Sequence, residues 1–143
     1  MSIDPSIWSK LHGAGVHFPI ALMLVSALCD TVSLACKNDE LQRGFRFVAT
    51  VTIILGALGS YAAVISGLVM AKWQFWGHGA LLRHHQFVWP AFALMVSLAT
   101  WRIAVSKRLT KRKPTAVYLT FMVLAVALVS GAGYTGGELL NHG

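Results

Sequence analysis

Residues 47–70 read FVATVTIILGALGSYAAVISGLVM and contain no Asp, Glu, Lys or Arg, and this stretch decides the fold. At about 1.5 Å of rise per residue it is long enough to cross the roughly 30 Å hydrocarbon core of a bilayer as a helix. Three further apolar stretches, at about 16–35, 87–105 and 116–134, approach the same length. We therefore predict an all-α fold, an integral membrane four-helix bundle, with one transmembrane domain over residues 1–143.

The composition agrees with a membrane protein and argues against nucleic-acid binding. The chain is 56% hydrophobic and 12% charged, with a net charge of +7. Soluble domains carry about 25% charged residues. The basic residues lie between the apolar stretches, where they act as topology signals and contact lipid headgroups. We expect lipid, and no nucleic acid, as the partner of this positive charge.

The basic residues also predict the orientation. Most of them lie between spans one and two, or at the end of span three and in the connection after it: Lys37, Arg43, Arg46, Arg102, Lys107, Arg108, Lys111, Arg112 and Lys113. Basic residues stay preferentially in the cytoplasm, so this end of the bundle is predicted to be cytoplasmic. Both termini would then be periplasmic, in a multi-pass protein of the bacterial inner (plasma) membrane.

All six histidines fall at the other end of the predicted bundle: His12, His17, His78, His84, His85 and His142. They lie before or at the start of span one, between spans two and three, and after span four. Imidazole is a frequent ligand of metals and haem iron, and it is costly to bury in hydrocarbon without a partner. We therefore expect a binding site at the periplasmic end.

A b-type haem needs two axial imidazoles on different helices, with apolar walls around the macrocycle. His17 on span one and His85 on span three meet this need at a similar depth, and we predict that they ligate the haem iron. His84 is the alternate to His85, because neighbouring helical residues point about 100° apart. His142 is a further alternate, and His142 and His12 are candidates for a second ligand pair or for propionate contacts.

The distribution of the histidines limits where a haem can sit. None lies toward the cytoplasmic half, where the second haem of the usual two-haem arrangement would need ligands. The predicted cofactor is therefore haem b near the periplasmic face, as one haem or as an unusually close pair. Lys72 and Arg83, at the same end, could neutralise the haem propionates.

Two other interpretations of the histidines stay open. Three or four of them, together with Glu138, could hold Zn²⁺, Cu²⁺ or Fe²⁺, since imidazole and carboxylate suit all three ions. Alternatively, the histidines are interface residues that find water or backbone partners. His12 and His78, which fall on predicted loops, fit this second interpretation best.

Small residues are spaced for close helix approach. Gly59, Ala63 and Gly67 recur every four residues in span two, and Gly133 and Gly137 have the same spacing at the end of span four. Such spacing lets helix backbones pack closely in lipid. Alternatively, the missing side chains make room for a flat ligand such as a porphyrin, and the sequence alone does not separate the two.

The remaining polar residues give no sign of catalysis. Asp30 is predicted to lie near the cytoplasmic interface and to pair with Arg43 or Arg46. No Ser/His/Asp or Cys/His constellation and no glycine-rich phosphate loop is present. We expect no turnover by this chain alone, and at most the electron-transfer subunit of an oxidoreductase complex.

Two stretches carry a resemblance to a known family. Span one opens with Leu11-His12 and then VHFPIAL at 16–22, and the chain ends GYTGGELLNHG at 133–143. Over nearly its whole length the chain resembles the family called domain of unknown function 2231, small bacterial four-helix inner-membrane proteins. The resemblance implies this architecture. Members also look like partners or fusions of cytochrome-type proteins, which favours a redox role.

The resulting hypothesis is a membrane subunit that carries haem b near its periplasmic face. It would relay electrons between a periplasmic cytochrome or dehydrogenase and the membrane, where quinone is a further candidate ligand and other membrane subunits are candidate partners. The alternatives are a non-redox anchor or assembly subunit of a larger complex, and a periplasm-facing metal-binding protein.

Overall fold

The computed structural model is a bundle of long helices. It describes the backbone of residues 5–105 and 112–142, and the side chains of residues 7–10, 12–105 and 116–139. Within this part of the chain lie α1 (Pro5–Ala35), α2 (Asp39–Met70), α3 (Ala80–Val105) and α4 (Arg112–His142). Each contains a segment long and apolar enough to cross a membrane. The predicted all-α, four-helix membrane fold is confirmed.

The helices extend beyond the predicted spans. The helix α1 begins at Pro5, a residue well suited to a first helical turn because its missing N–H has no partner to lose there. The helix α3 begins at Ala80, so His84 and His85 lie in its second turn. The expectation that His12 lies on a loop is wrong, because hydropathy marks where a helix is apolar and not where it begins.

The helices form a ring in chain order. α1 packs most extensively on α2, and α3 on α4, with smaller contacts between α2 and α3 and between α1 and α4. The helices α1 and α3 are therefore diagonal to each other across the bundle. Both begin at the end that contains His12, His17, His84 and His85, called here the histidine end.

The bundle interior is apolar, as is much of its outer surface. Met23, Ile53, Met95 and Met122 are buried at the centre. Many large apolar side chains instead point outward, among them Phe47, which is 70% exposed. In a soluble protein an apolar surface of this extent would mark an interface or an aggregation hazard, whereas a bilayer solvates it.

The α1–α2 and α3–α4 hairpins repeat one another. Buried residues of α1 pair with buried residues of α3 that lie the same number of residues further along the chain: Pro19 with Ala91, Met23 with Met95, Ser26 with Leu98, and Asp30 with Arg102. Buried residues of α2 pair with buried residues of α4 in the same way, at a second fixed number of residues: Ala49 with Tyr118, Ile53 with Met122, Gly56 with Ala125, and Ser60 with Val129. The two halves therefore present equivalent faces to the bundle axis, as in membrane proteins built from parallel repeats.

A buried ion pair joins the two halves at the end opposite the histidines. Arg102 Nη1 donates to Asp30 Oδ2 at 2.8 Å, and the two side chains are 3% and 1% exposed. The same guanidinium donates from Nε to Thr50 Oγ1 and from Nη2 to the Arg46 carbonyl, both at 2.9 Å. The predicted pairing of Asp30 with Arg43 or Arg46 is wrong, because the diagonal placement of α1 and α3 brings Arg102 to it instead.

Candidate functional site

A cavity of about 460 Å³ opens at the histidine end of the bundle. All four helices line it, and four of the histidines lie in its wall: His12 and His17 from α1, and His84 and His85 from α3. Val and Leu side chains and the glycines of α2 and α4 form most of the remainder. The volume lies within the roughly 300–1,000 Å³ typical of small-molecule and cofactor sites.

His12 is half-buried and held against α2. Its Nδ1 lies 2.9 Å from Ser66 Oγ. Gly67 leaves the space for the ring, since a Cβ at this position would lie 2.9 Å from His12 Cε1. Gly67 is one of the small residues that were predicted to allow either close helix packing or ligand binding. In the structure it accommodates the ring of His12.

His84 is held against α4 in the same way. Its Nδ1 lies 3.2 Å from Thr135 Oγ1. A Cβ at Gly136 would lie 3.2 Å from His84 Cε1.

His17 and His85, the predicted axial pair, both line the cavity but differ in surroundings. His17 is exposed overall. His85 is only 6% exposed, and its Nδ1 is buried without a hydrogen-bond partner among the described residues. Its ring lies 5.9 Å from that of His84 and 6.1 Å from that of Trp89, measured between centroids. A buried polar atom without a partner costs about 1–3 kcal/mol, which a ligand could recover.

The remaining predicted site residues lie outside the cavity wall or outside the described side chains. His78 is exposed on the connection between α2 and α3. Glu138 is described and does not line the cavity. The helix α4 ends at His142, whose side chain lies outside the described residues. Lys72 and Arg83 are exposed at the histidine end, where they can meet an anionic group.

Ser66 and Thr135 are the site residues that sequence reasoning missed. Each hydroxyl also donates to a carbonyl of its own helix, Ser66 to Ala63 at 2.9 Å and Thr135 to Gly131 at 2.9 Å. Such local bonds are common in membrane helices and mark no site by themselves. Ser66-Gly67 and Thr135-Gly136 are separated by the same number of residues as the paired core positions of α2 and α4, but this correspondence becomes visible only once the buried positions are known.

A metal site built from protein ligands alone is not formed in the described part of the chain. No three His, Cys, Asp or Glu side chains come together there in an arrangement that could hold a metal ion. The histidines are instead divided between two diagonal helices across an apolar space. This arrangement suits a ligand that lies between α1 and α3 and needs few protein donors.

Comparison with known proteins identifies the family of this chain. No curated protein and no solved structure matches it. One family model does match, over residues 9–143. This range covers all four segments that could cross a membrane, apart from the first two residues of the segment in α1. The chain belongs to the family described as Predicted membrane protein (DUF2231).

Proposed function

We propose that this protein is a membrane b-type cytochrome subunit that binds haem b in the cavity at the histidine end. In this proposal the histidine end faces the periplasm of a bacterial inner membrane. The subunit relays electrons between a periplasmic cytochrome or dehydrogenase and the membrane. The chemistry that haem supplies is reversible one-electron transfer, and the chain supplies the ligands, the apolar walls and the location.

One observation carries the proposal: histidines from diagonal helices converge on a single apolar cavity. His12 and His17 enter it from α1, and His84 and His85 enter it from α3. Axial ligation in a helical bundle needs imidazoles on opposed helices with apolar side chains around the macrocycle. The glycines widen this space, since a Cβ added at Gly133 would meet no atom within 4 Å.

The donor set fits haem better than a bare metal ion. A structural or catalytic Zn²⁺ site needs three or four protein ligands, and no described group of three His, Cys, Asp or Glu could hold one. Haem brings four nitrogen ligands of its own and asks the protein for only one or two. In addition, Nδ1 of His85 is buried with no hydrogen-bond partner among the described residues and is available to a polar group of a bound ligand.

The absorption spectrum of the purified protein tests this function. Expression in a haem-sufficient host should give a coloured protein with a sharp Soret band that shifts on dithionite reduction. The iron content should match the haem content, which distinguishes haem from adventitious iron. A colourless, iron-free preparation from such a host would contradict the proposal.

A quinone is the second candidate for the cavity. A smaller apolar recess of about 90 Å³ adjoins the cavity, shares Val16, Val64 and Val88 with it, and extends to Met95. An apolar recess of this kind suits an isoprenoid chain. A colourless protein whose organic extract contains quinone in proportion to protein would favour this candidate over haem.

A further inference from the structure

His12 and His84 occupy equivalent positions in the two halves of the bundle. His12 and His84 are separated along the chain by the same number of residues as the paired core positions of α1 and α3. Their partners Ser66 and Thr135 are separated by the same number of residues as the paired core positions of α2 and α4. Each ring therefore meets the same two groups on the neighbouring helix: a hydroxyl and a glycine. His17 and His85 show no such equivalence, because the same separation relates His17 to Trp89 and Gly13 to His85.

The hydrogen bonds indicate which ring nitrogen carries the proton. A serine or threonine hydroxyl has one proton to donate and lone pairs that accept. Ser66 Oγ lies where it can donate to the Ala63 carbonyl, and Thr135 Oγ1 lies where it can donate to the Gly131 or Ala132 carbonyl. A hydroxyl that keeps this bond can only accept from its histidine, and in that arrangement Nδ1 is the protonated nitrogen. The other nitrogen, Nε2, keeps its lone pair in both rings.

We propose that His12 and His84 are the two axial ligands, each binding iron through Nε2, and that Ser66 and Thr135 are positioning residues that hold the required tautomer. This inference rests on the proposed haem function and names a ligand pair different from His17 and His85. Metal-binding histidines commonly donate their second ring nitrogen to a fixed acceptor, which sets ring orientation and tautomer. Here one such acceptor lies on each side of the cavity.

The tautomers can be measured without haem. We expect ¹⁵N NMR of histidine-labelled, haem-free full-length protein in lipid nanodiscs, at a pH where the rings are neutral, to show a proton on Nδ1 of both His12 and His84. Single His→Gln variants assign the signals. Replacing Ser66 with Ala should make the His12 tautomers mix while leaving His84 unchanged. A proton on Nε2 of either ring in the unmodified protein would overturn the positioning role.

Hydroxyl variants test the same role in the haem-loaded protein. Ser66→Ala and Thr135→Ala should each weaken haem binding by about 10–100-fold, as loss of a residue that supports a metal ligand commonly does, and should shift the reduction potential. Ser66→Thr and Thr135→Ser keep a hydroxyl and should restore both properties. Ser130→Ala is the matched control, because Ser130 makes the same local bond, to the Val126 carbonyl, on the exposed face of α4.

The outcomes separate the two proposals. If Ser66→Ala and Thr135→Ala behave like Ser130→Ala, the positioning role fails while haem binding stands. If His17→Ala or His85→Ala removes the haem and His12→Ala and His84→Ala do not, the ligand pair is wrong. If the unmodified protein binds no haem, the proposed function fails, and the NMR result still decides the tautomers.

Discussion

Two glycines set how closely the histidine rings approach the neighbouring helices. A Cβ at Gly67 would lie 2.9 Å from His12 Cε1, closer than side-chain carbons normally come, whereas the corresponding distance from Gly136 to His84 Cε1 is 3.2 Å. Both rings are also bonded to the residue that precedes the glycine. The position of each imidazole therefore depends on a missing side chain as well as on a hydroxyl.

Replacing Gly67 with Ala should displace His12 and weaken haem binding by roughly 10-fold or more. Gly136→Ala should have a smaller effect, because His84 needs to move by only a few tenths of an ångström. Haem titration followed at the Soret band measures both variants.

Gly44→Ala is the control for these variants. A Cβ at Gly44 meets no atom within 4 Å, and Gly44 lies inside α2, away from the cavity. Alanine favours a helix over glycine by up to about 1 kcal/mol, so this variant should raise the unfolding temperature and leave haem binding unchanged. Gly67→Ala binding haem as tightly as Gly44→Ala would show that the ring position does not matter.

For single residues, the sequence predicted which histidines lie close together, but not which groups on the neighbouring helices contact each ring. The six histidines were expected at one end, and His12, His17, His84 and His85 do line one cavity there. The roles of Ser66 and Thr135 could not be predicted, because a hydroxyl that bonds to its own helix gives no local sign of a second partner on another helix.

At the scale of helices, the ion pair between Asp30 and Arg102 ties α1 to α3. The two residues hold equivalent positions in the repeated hairpins and carry opposite charges, so the repeat itself brings them together across the bundle axis. The Tyr118 ring of α4 lies 5.5 Å from the guanidinium carbon, and Thr50 of α2 accepts from Nε. One arginine therefore contacts all three other helices.

Replacing Arg102 with Met should destabilise the bundle by about 3–5 kcal/mol, because Asp30 would be left as a buried charge without its partner. The Asp30→Leu, Arg102→Met double variant should recover most of this loss, since it removes both charges. Chemical unfolding in detergent measures the difference, with Arg83→Met at an exposed position as the control. A loss no larger than that of the control would contradict the structural role of the pair.

The elements themselves were predictable because a membrane helix must be long and apolar. The ends of the helices were not, since α1 and α3 continue past their apolar segments to Pro5 and Ala80. The partner of Asp30 was also missed. Arg43 and Arg46 are near it in the expected topology, but a ring of four helices makes α1 and α3 diagonal, and only that arrangement brings Arg102 to Asp30.

At the scale of the whole molecule, four crossings place both termini on the same side of the membrane. The basic residues predict that this side is the periplasm. A reporter that is active only in the cytoplasm should therefore give no signal when fused after Gly143, and a strong signal when inserted after Lys107. A signal from the C-terminal fusion and none from the internal insertion would invert the orientation and move the histidine end to the cytoplasm.

The two ends of the molecule have different roles in this account. At one end, the equivalent positions of α1 and α3 are His12 and His84, which line the cavity. At the other end, the equivalent positions are Asp30 and Arg102, which form a buried ion pair. An internal repeat is visible in the sequence only after the structure shows which positions are buried. The presence of several histidines at one end of the bundle, in contrast, was predictable from the sequence alone.

The most direct test is the spin state of the ferric haem in low-temperature electron paramagnetic resonance spectra. Two imidazoles make ferric haem six-coordinate and low-spin, so the unmodified protein should give a low-spin signal. His12→Ala and His84→Ala should each convert it to a high-spin signal or lose the haem, whereas His17→Ala and His85→Ala should keep it low-spin. A low-spin bis-imidazole spectrum that persists in His12→Ala and His84→Ala would contradict the account.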